Sequence, residues 1–295
     1  MERIGFIGIG HMGWPMAANL AQAGYHVSVF DTDAARAADF AAQFQAVAVE
    51  MPVGLAQADI VITMLPNGQI VQDALSQGGA ESLMARLAPG AVVVDMSSSA
   101  PMGTRQLGGE LARRNIGLVD APVSGGVARA QTGELTIMYG ADDPQAVQRV
   151  LPVLNVMGAK LFSVGGLGCG HAMKALNNYV ASATFAATTE ALDVGTKFGL
   201  SADVMVDVLN VSTGRNFHTD LVFKQHVLNG KFGVGFAIGL LAKDVRIAAD
   251  LAEALHKTAP LLHLMEDRWD QARDARGATQ DFSAAYLAWT EQNGS

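Results

Sequence analysis

The stretch that decides the fold is Gly8-Ile9-Gly10-His11-Met12-Gly13, which fits the pattern G-x-G-x-x-G near the beginning of the sequence. In a chain with 32 glycines such a pattern arises easily by chance, so its context carries the weight. The mainly apolar residues 3–7 (RIGFI) predict a strand before it, and residues 12–23 predict a helix after it. A second strand is predicted at 26–31. This order of elements is typical of the first βαβ unit of a dinucleotide-binding domain.

Each residue of this unit has a physical task. Gly8 allows a tight turn, Gly10 lets a pyrophosphate approach the backbone, and Gly13 lets the helix pack on the strand. Asp31, which ends the second strand, is placed to accept hydrogen bonds from an adenosine ribose. Its charge repels a 2′-phosphate, which favours NAD over NADP, although Arg36 weakens that preference. The competing interpretation is a structural glycine turn, with Asp31 capping the next helix.

Strand and helix patterns alternate through the first half of the chain. Further strands are predicted at 59–64, 91–95, 117–120, 135–139 and 160–164. Helices are predicted between them at 33–43, 67–77, 101–115 and 143–157. Such alternation is typical of a parallel sheet covered by helices on both faces. The sequence therefore predicts an N-terminal Rossmann-type domain at 1–164.

The second half of the chain has a different character. A hinge-like Gly-Gly-Leu-Gly-Cys-Gly run at 165–170 precedes residues 171–194, which contain neither Gly nor Pro. This apolar stretch predicts one long helix, buried on nearly all sides. Further helices are predicted at 201–213, 217–229, 238–256, 260–276 and 281–291. The predicted fold class is α/β, with a Rossmann-type parallel sheet domain joined by the long helix to an all-α C-terminal domain at 165–295.

Composition excludes several function classes. The net charge of −8 argues against nucleic acid or an anionic membrane as the main partner. A single cysteine forms no internal disulfide, and no Cys/His cluster indicates a metal site. Without a leader pattern or an apolar run of membrane-spanning length, we expect a cytoplasmic protein. Charged residues make up 16% of the chain, below the usual value of about 25%. Together with the apolar stretch 171–194, this suggests surface buried between subunits and predicts a homodimer or homotetramer.

Polar side chains interrupt the long apolar helix near its start, at Lys174, Asn177 and Asn178. Lys174 and Asn178 are four residues apart and therefore project from one face. Desolvation is expected to lower the pKa of this lysine towards neutrality, which suits proton exchange with a substrate hydroxyl. Asn178 could hydrogen-bond the same substrate. The alternative is a lysine with a packed stem and an amine in water, and the local sequence leaves both open.

Two further segments are candidates. Residues 120–126 (DAPVSGG) follow a predicted strand at the carboxyl edge of the sheet. There Ser124, Gly125 and Gly126 could cradle a carboxylate, or they form an ordinary turn. Lys243, followed by an aspartate, lies on an apolar helix. It is either half of a surface pair or a cation that reaches the cofactor or substrate.

Three stretches, taken together, resemble the β-hydroxyacid dehydrogenase family, which includes 3-hydroxyisobutyrate dehydrogenase and tartronate semialdehyde reductase. They are FIGIGHMGWPMAANL at 6–20, DAPVSGG at 120–126 and GHAMKALNN at 170–178, and LLAKDV at 240–245 is similar to a fourth family segment. The resemblance implies hydride transfer between NAD and C3 of a small 3-hydroxy acid, without a metal.

The resemblance also implies roles for individual residues. Lys174 would be the catalytic acid and base, and Asn178 would orient the substrate. Ser124, Gly125 and Gly126 would grip the substrate carboxylate, and Lys243 would close on cofactor and substrate. The residues expected to line the cofactor are Gly8, Gly10, His11, Met12, Gly13, Asp31, Leu65, Pro66, Ser98 and Lys243.

The resemblance leaves the substrate open. Glu134 stands where the family commonly has Thr, and residues 212–218 (STGRNFH), expected near the substrate, match no single member. Hydroxyisobutyrate, glycerate or tartronate semialdehyde, serine-like acids and bulkier 3-hydroxy acids remain candidates. A 6-phosphogluconate dehydrogenase is disfavoured because such chains are longer and carry a histidine where Leu176 stands. Imine reductases replace the lysine, and a non-catalytic dinucleotide sensor would not need it.

Overall fold

The chain divides into two compact units. The computed structural model describes residues 1–291, and its units are Met1–Lys174 and Ala175–Ser295. The domain boundary expected after residue 164 stays a prediction. The last four residues of the second expected domain, 292–295, lie outside the described residues.

The first unit is built on a mostly parallel sheet. Its strands are β1 (Arg3–Ile7), β2 (His26–Phe30), β3 (Val47–Ala48), β4 (Ile60–Thr63), β5 (Val92–Asp95), β6 (Gly117–Asp120), β7 (Val123–Ser124), β8 (Leu135–Gly140) and β9 (Gly158–Gly165). Their order is β3-β2-β1-β4-β5-β6-β8-β7, with β9 paired to β8. The first six strands are parallel, whereas β8 runs antiparallel to β6 and β7. The order 3-2-1-4-5-6 confirms the predicted Rossmann-type arrangement. The sequence missed β3 and β7 because two residues are too few to show a strand pattern.

Helices connect these strands and bury both faces of the sheet. They are α1 (Gly13–Gln22), α2 (Ala34–Phe44), α3 (Gly68–Ser76), α4 (Leu83–Arg86), α5 (Pro101–Ala112), α6 (Gly126–Thr132) and α7 (Pro144–Met157). Successive residues of β4 alternate between two cores, with Ile60 and Ile62 in one and Val61 in the other. The apolar runs of the central strands follow from this double burial.

The second unit is helical. A thirty-residue helix, α8 (Cys169–Phe198), leads into it, followed by α9 (Ala202–Asn210), α10 (Phe217–Leu221), α11 (Ile238–Ala254), α12 (Pro260–Arg276) and α13 (Ala285–Thr290). The helix predicted at 217–229 is interrupted, because a π-helical turn at Phe223–Val227 follows α10. Aromatic rings, among them Phe185, Phe223 and Trp269, form the centre of this core.

Within the single chain the long helix is not buried on one of its faces, and the burial of that face between subunits stays a prediction. Val180, Val194 and Phe198 are 58%, 68% and 85% exposed, whereas Phe185 and Leu192 are fully buried. An apolar pattern around the whole helix shows only that each of its faces is hydrophobic. It does not show that this chain itself covers every face. No helix in residues 1–291 combines the length and apolar character that crossing a membrane requires.

Candidate functional site

The glycine loop between β1 and α1 has the shape that a dinucleotide requires. Gly8 has a φ of +91°, and a Cβ there would lie 2.4 Å from the carbonyl oxygen of Met64. A Cβ on Gly13 would lie 1.9 Å from the carbonyl oxygen of Gly8. At Gly10, in contrast, no atom lies within 4 Å of the Cβ position. Gly8 and Gly13 are therefore required by the protein itself, while Gly10 leaves open space into which a pyrophosphate fits.

Asp31 links this loop to the turn after β2. Its carboxylate accepts hydrogen bonds of 2.9 Å from the backbone N–H groups of Ile9 and Asp33, and Arg36 Nη1 lies 3.4 Å away. The helix that follows is capped by Asp33, whose carboxylate accepts from the N–H of Arg36. The alternative in which Asp31 caps α2 is therefore not the arrangement found. At the start of α1, His11 is exposed and Met12 is half-buried.

The loops after β4 and β5 are joined by a hydrogen bond. The N–H of Leu65 donates to Ser97 Oγ at 2.9 Å, which brings the expected cofactor-lining residues Pro66 and Ser98 onto two connected loops. Pro66 is exposed and Ser98 is half-buried. All three positions lie at the carboxyl edge of the sheet, where open α/β folds bind ligands.

The segment DAPVSGG is a short strand that ends in two glycines, rather than an ordinary turn. Val123 and Ser124 pair with β8, and the chain then turns through Gly125 and Gly126 with φ values of +137° and +68°. Only glycine adopts such a pair of values without strain. Both glycines are exposed and Ser124 is half-buried, so the hydroxyl and the amides form an accessible polar loop.

Three neighbouring strands end on buried polar side chains that the sequence analysis did not single out. Thr63, Asp95 and Asp120 are register partners at the ends of β4, β5 and β6. The side chain of His171, in the first turn of α8, lies between the two carboxylates, 3.6 Å from Asp95 Oδ2 and 3.9 Å from Asp120 Oδ2. We call these four residues the strand-end cluster.

Asp120 anchors the start of α8. Its carboxylate accepts 2.8 Å hydrogen bonds from the N–H groups of Gly168 and His171. Burial raises the pKa of Asp120, and these two amides together with the His171 ring oppose that rise. Lys174 lies one turn further along the same helix and is half-buried. The helix carrying the lysine is thus hydrogen-bonded to the first residue of DAPVSGG.

In the second unit a buried acid holds the two other candidates. Asn178 Nδ2 donates to Asp244 Oδ2 at 2.6 Å, and Lys243 Nζ lies 3.1 Å from Asp244 Oδ1. Asp244 is 2% exposed and Asn178 is 8% exposed. Sequence reasoning noted Asp244 only as the neighbour of Lys243. The position of Asp244 between Leu241 and Ala248, on the buried stripe of α11, is the sequence signal that could have identified it.

The segment expected near the substrate, 212–218, ends in a residue of the core. His218 is buried among aromatic rings, and its Nε2 lies 2.8 Å from the carbonyl oxygen of Ala181. Burial lowers the pKa of His218 to about 4. Asn216 caps α10 through a capping box with Thr219. These contacts stabilise the second unit, and they assign no substrate specificity to residues 212–218.

Both units match known family models. Residues 3–166 match the NAD-binding domain of 6-phosphogluconate dehydrogenase. Residues 168–289 match the NAD-binding domain of NADP-dependent 3-hydroxyisobutyrate dehydrogenase. The 2-(hydroxymethyl)glutarate dehydrogenase of Eubacterium barkeri is 34% identical over 292 residues, which is 99% of this chain and 96% of the relative. The chain belongs to the β-hydroxyacid dehydrogenase family.

Other members of the family are similar over nearly the whole chain. The 3-sulfolactaldehyde reductase of Escherichia coli K12 is 35% identical over 96% of this chain and 94% of its own length. A solved structure of 3-hydroxyisobutyrate dehydrogenase with L-serine, from Mycobacterium tuberculosis, has a TM-score of 0.88 at 33% identity. It covers 98% of this chain and 99% of its own. The chain is accordingly an NAD(P)-dependent 3-hydroxyacid dehydrogenase.

Proposed function

We propose that this dehydrogenase transfers hydride between NAD and C3 of a small 3-hydroxy acid, with Lys174 as general acid and base. The observation that carries the proposal is the double role of Asp120. It anchors the start of the helix that bears Lys174, and it begins the segment that ends in Ser124, Gly125 and Gly126. The amine and the polar glycine loop therefore belong to one hydrogen-bonded framework.

In oxidation, Lys174 as a neutral amine accepts the proton of the substrate hydroxyl while the C3–H bond breaks. NAD, when bound, supplies the nicotinamide ring that accepts the hydride from C3. The product is an aldehyde acid, and the lysine, now an ammonium, returns its proton to water. In reduction the ammonium donates its proton to the carbonyl oxygen. The same charge stabilises a developing alkoxide, so the lysine supplies both proton transfer and electrostatic stabilisation.

The substrate carboxylate is assigned to the Ser124–Gly126 loop, where a hydroxyl and two backbone amides can donate to it. Arg129 adds local positive charge. Its Cδ lies 2.8 Å from the position of a Cβ on Gly125, so the stem of the arginine packs against this loop. Within residues 1–291, no ion pair or side-chain hydrogen bond of its exposed guanidinium is found. In a chain of net charge −8, such a cation favours an anionic substrate.

Asn178 and Lys243, both in the second unit, are proposed as residues that bind the substrate. One N–H of the Asn178 amide donates to Asp244, and an amide nitrogen carries two, so one remains for the substrate hydroxyl. Lys243 is proposed to act on the substrate carboxylate and the cofactor. Its partner Asp244 fixes where that charge lies.

NAD is proposed as the preferred cofactor because of the charges around Asp31. The carboxylate is held by two backbone amides, and Arg36 is shared between Asp31 and Asp33, 3.4 Å and 3.1 Å away. The two carboxylates thus partly balance the charge of Arg36. A 2′-phosphate of NADP would therefore be mainly repelled by Asp31.

The substrate is proposed to be a small 3-hydroxy acid similar to 3-hydroxyisobutyrate, with tartronate semialdehyde or glycerate, serine-like and bulkier acids as alternatives. The relatives are named for 2-(hydroxymethyl)glutarate, 3-sulfolactaldehyde and 3-hydroxyisobutyrate, which share an anionic group and a carbon that carries an alcohol or an aldehyde. A panel of such acids, each with NAD and with NADP, tests the proposal through the absorbance of the reduced nicotinamide. We expect kcat/KM with NAD to exceed that with NADP by about 10-fold or more. No turnover of any acid with either cofactor would refute the function.

We also propose a homodimer or homotetramer. The exposed apolar side chains of α8, among them Val180, Val194 and Phe198, form the surface that supports this assembly. Light scattering at micromolar concentration is expected to give a multiple of the chain mass. The mass of a single chain would contradict it. A cytoplasmic location and the absence of nucleic-acid partners stay predictions.

A further inference from the structure

The strand-end cluster places two buried carboxylates side by side. Asp95 and Asp120 are register partners on adjacent parallel strands, and they are 2% and 0% exposed. Like charges directly opposite one another in a sheet destabilise it, and a buried charge needs partners. Each of these two buried acids therefore needs hydrogen-bond donors around it. The donors that each acid binds show which loops or helices it holds in place.

Asp95 organises the loops expected to line the cofactor. Its Oδ1 accepts from Thr63 Oγ1 at 2.8 Å and from the N–H of Ser97 at 3.0 Å, and its Oδ2 accepts from Ser99 Oγ at 2.8 Å. Ser97 in turn accepts the N–H of Leu65. One carboxylate therefore fixes the residues on both sides of Ser98 and, through Ser97, the loop after β4.

His171 connects this arrangement to the helix of the lysine. Its side chain is fully buried, its Nε2 faces Asp95, and its Nδ1 lies 2.7 Å from Thr104 Oγ1 on α5. The backbone N–H of the same residue is bound by Asp120. A single residue thus contacts two strand ends and a neighbouring helix. Lys174 follows three positions later, on the adjoining part of the same helical face.

The close packing leaves α8 little freedom to shift. A Cβ on Gly170 would lie 2.6 Å from the carbonyl oxygen of Met138 and 2.7 Å from that of Asp120. The first turn of the helix therefore touches the backbone of β6 and β8, and only a glycine allows it. Because this contact is tight, we expect a substitution of the His171 ring to displace the first turn of α8, and Lys174 with it.

From this geometry we infer that His171 is a positioning residue for Lys174. Its imidazole fixes the rotation and depth of the first turn of α8 against the strand ends that also hold the cofactor-lining loops. The amine of Lys174 is thereby held in register with those loops. The inference rests on the proposed role of Lys174 in proton transfer.

The test compares His171→Leu, which removes both ring nitrogens, with His171→Gln, whose amide can still bond Thr104. His263→Leu, on α12 of the other unit, is the control. Each variant is measured for kcat, KM for the acid, NADH affinity by fluorescence, and melting temperature. For His171→Leu we expect kcat to fall about 30-fold or more, because small misplacement of a catalytic group is costly. KM and NADH affinity are expected to stay within about 3-fold, and His171→Gln to recover most of kcat.

Three outcomes would overturn the inference. The first is an unchanged kcat in folded His171→Leu, the second a parallel loss of kcat and NADH affinity, and the third a glutamine variant no better than leucine. If the leucine variant does not fold, Thr104→Val removes the 2.7 Å contact and leaves the ring in place. It is expected to lower kcat about 3- to 10-fold at unchanged KM, and an unchanged kcat there also overturns the inference. If the wild type turns over no acid, the proposed function has failed instead.

Discussion

The two units hold their candidate functional side chains in different ways. In the first unit, loops at the sheet edge are held by many bonds to strand-end acids, as Asp95 and Asp120 illustrate. In the second, Asn178 and Lys243 both contact one buried carboxylate, that of Asp244. A single substitution should therefore disturb only part of the site in the first unit, whereas in the second unit a substitution of Asp244 should disturb both side chains at once.

Among the substitutions that compare the two units, the largest effect is expected at Asp244. Asp244→Ala removes the acceptor of Asn178 and the carboxylate paired with Lys243, and the loss of a buried charged partner is costly. We expect kcat/KM for the acid to fall about 100-fold, with NADH affinity less affected. Steady-state kinetics and NADH fluorescence measure both, and Asp250→Ala, an exposed acid on the same helix, is the control. Equal kcat/KM values for Asp244→Ala and Asp250→Ala would show that the effects of substitution in the second unit are not concentrated at Asp244.

A smaller effect is expected in the glycine loop. Gly10→Ala adds a methyl group where nothing lies within 4 Å, so the protein should fold normally. The methyl group would fill the space assigned to the pyrophosphate, and NADH affinity is expected to fall about 30-fold. Gly103→Ala, at an equally open position of α5, should impair neither folding nor NADH affinity. Unchanged NADH affinity in Gly10→Ala would mean that the pyrophosphate binds elsewhere.

The second unit is also expected to be more sensitive to mild acid. The pKa of His218 is about 4 in the folded chain and 6.5 ordinarily, because burial disfavours the charged ring. The unfolded chain therefore binds the proton first, so stability is complete above pH 6.5 and falls as the pH drops towards 4. Between pH 7 and pH 5 this histidine should cost about 2 kcal/mol of unfolding free energy.

Urea unfolding is followed by tryptophan fluorescence in a Trp14→Phe background, which leaves Trp269 and Trp289, both in the second unit, to report this loss. His218→Gln should be less stable at pH 7 but should lose about 2 kcal/mol less than the wild type on moving to pH 5. Identical losses in the two proteins would show that another group is responsible.

The smallest effect is expected at Arg129, which is exposed. Arg129→Gln should raise KM about 5-fold for 3-hydroxyisobutyrate, because exposed charges are screened by solvent. The matched acid 2-(hydroxymethyl)glutarate carries a CH2CH2COO− group where 3-hydroxyisobutyrate carries its methyl group. A larger rise in its KM would place the guanidinium beside the substituent, and an equal rise would place it beside the shared carboxylate. No rise in either KM would separate the arginine from the substrate.

The parts predicted from sequence were those encoded by neighbouring residues. The glycine loop, the alternation of strands and helices and the helical second half follow from spacing within about thirty positions, as does the placement of Lys174 and Asn178 on one helix face. The strand-end cluster does not, because His171 meets Asp120 across 51 residues of sequence. Asn178 meets Asp244 across 66. Acids that end apolar strands, and an acid on the buried stripe of a helix, are the signals that would have found them.

The most direct test of the account is the activity of Lys174→Ala. Both NADH binding and turnover are measured, by fluorescence and by absorbance, at a temperature where the variant is folded. The account predicts NADH affinity within about 3-fold of the wild type and turnover reduced by about 1,000-fold, the scale of a lost general acid and base. Turnover close to that of the wild type would contradict it.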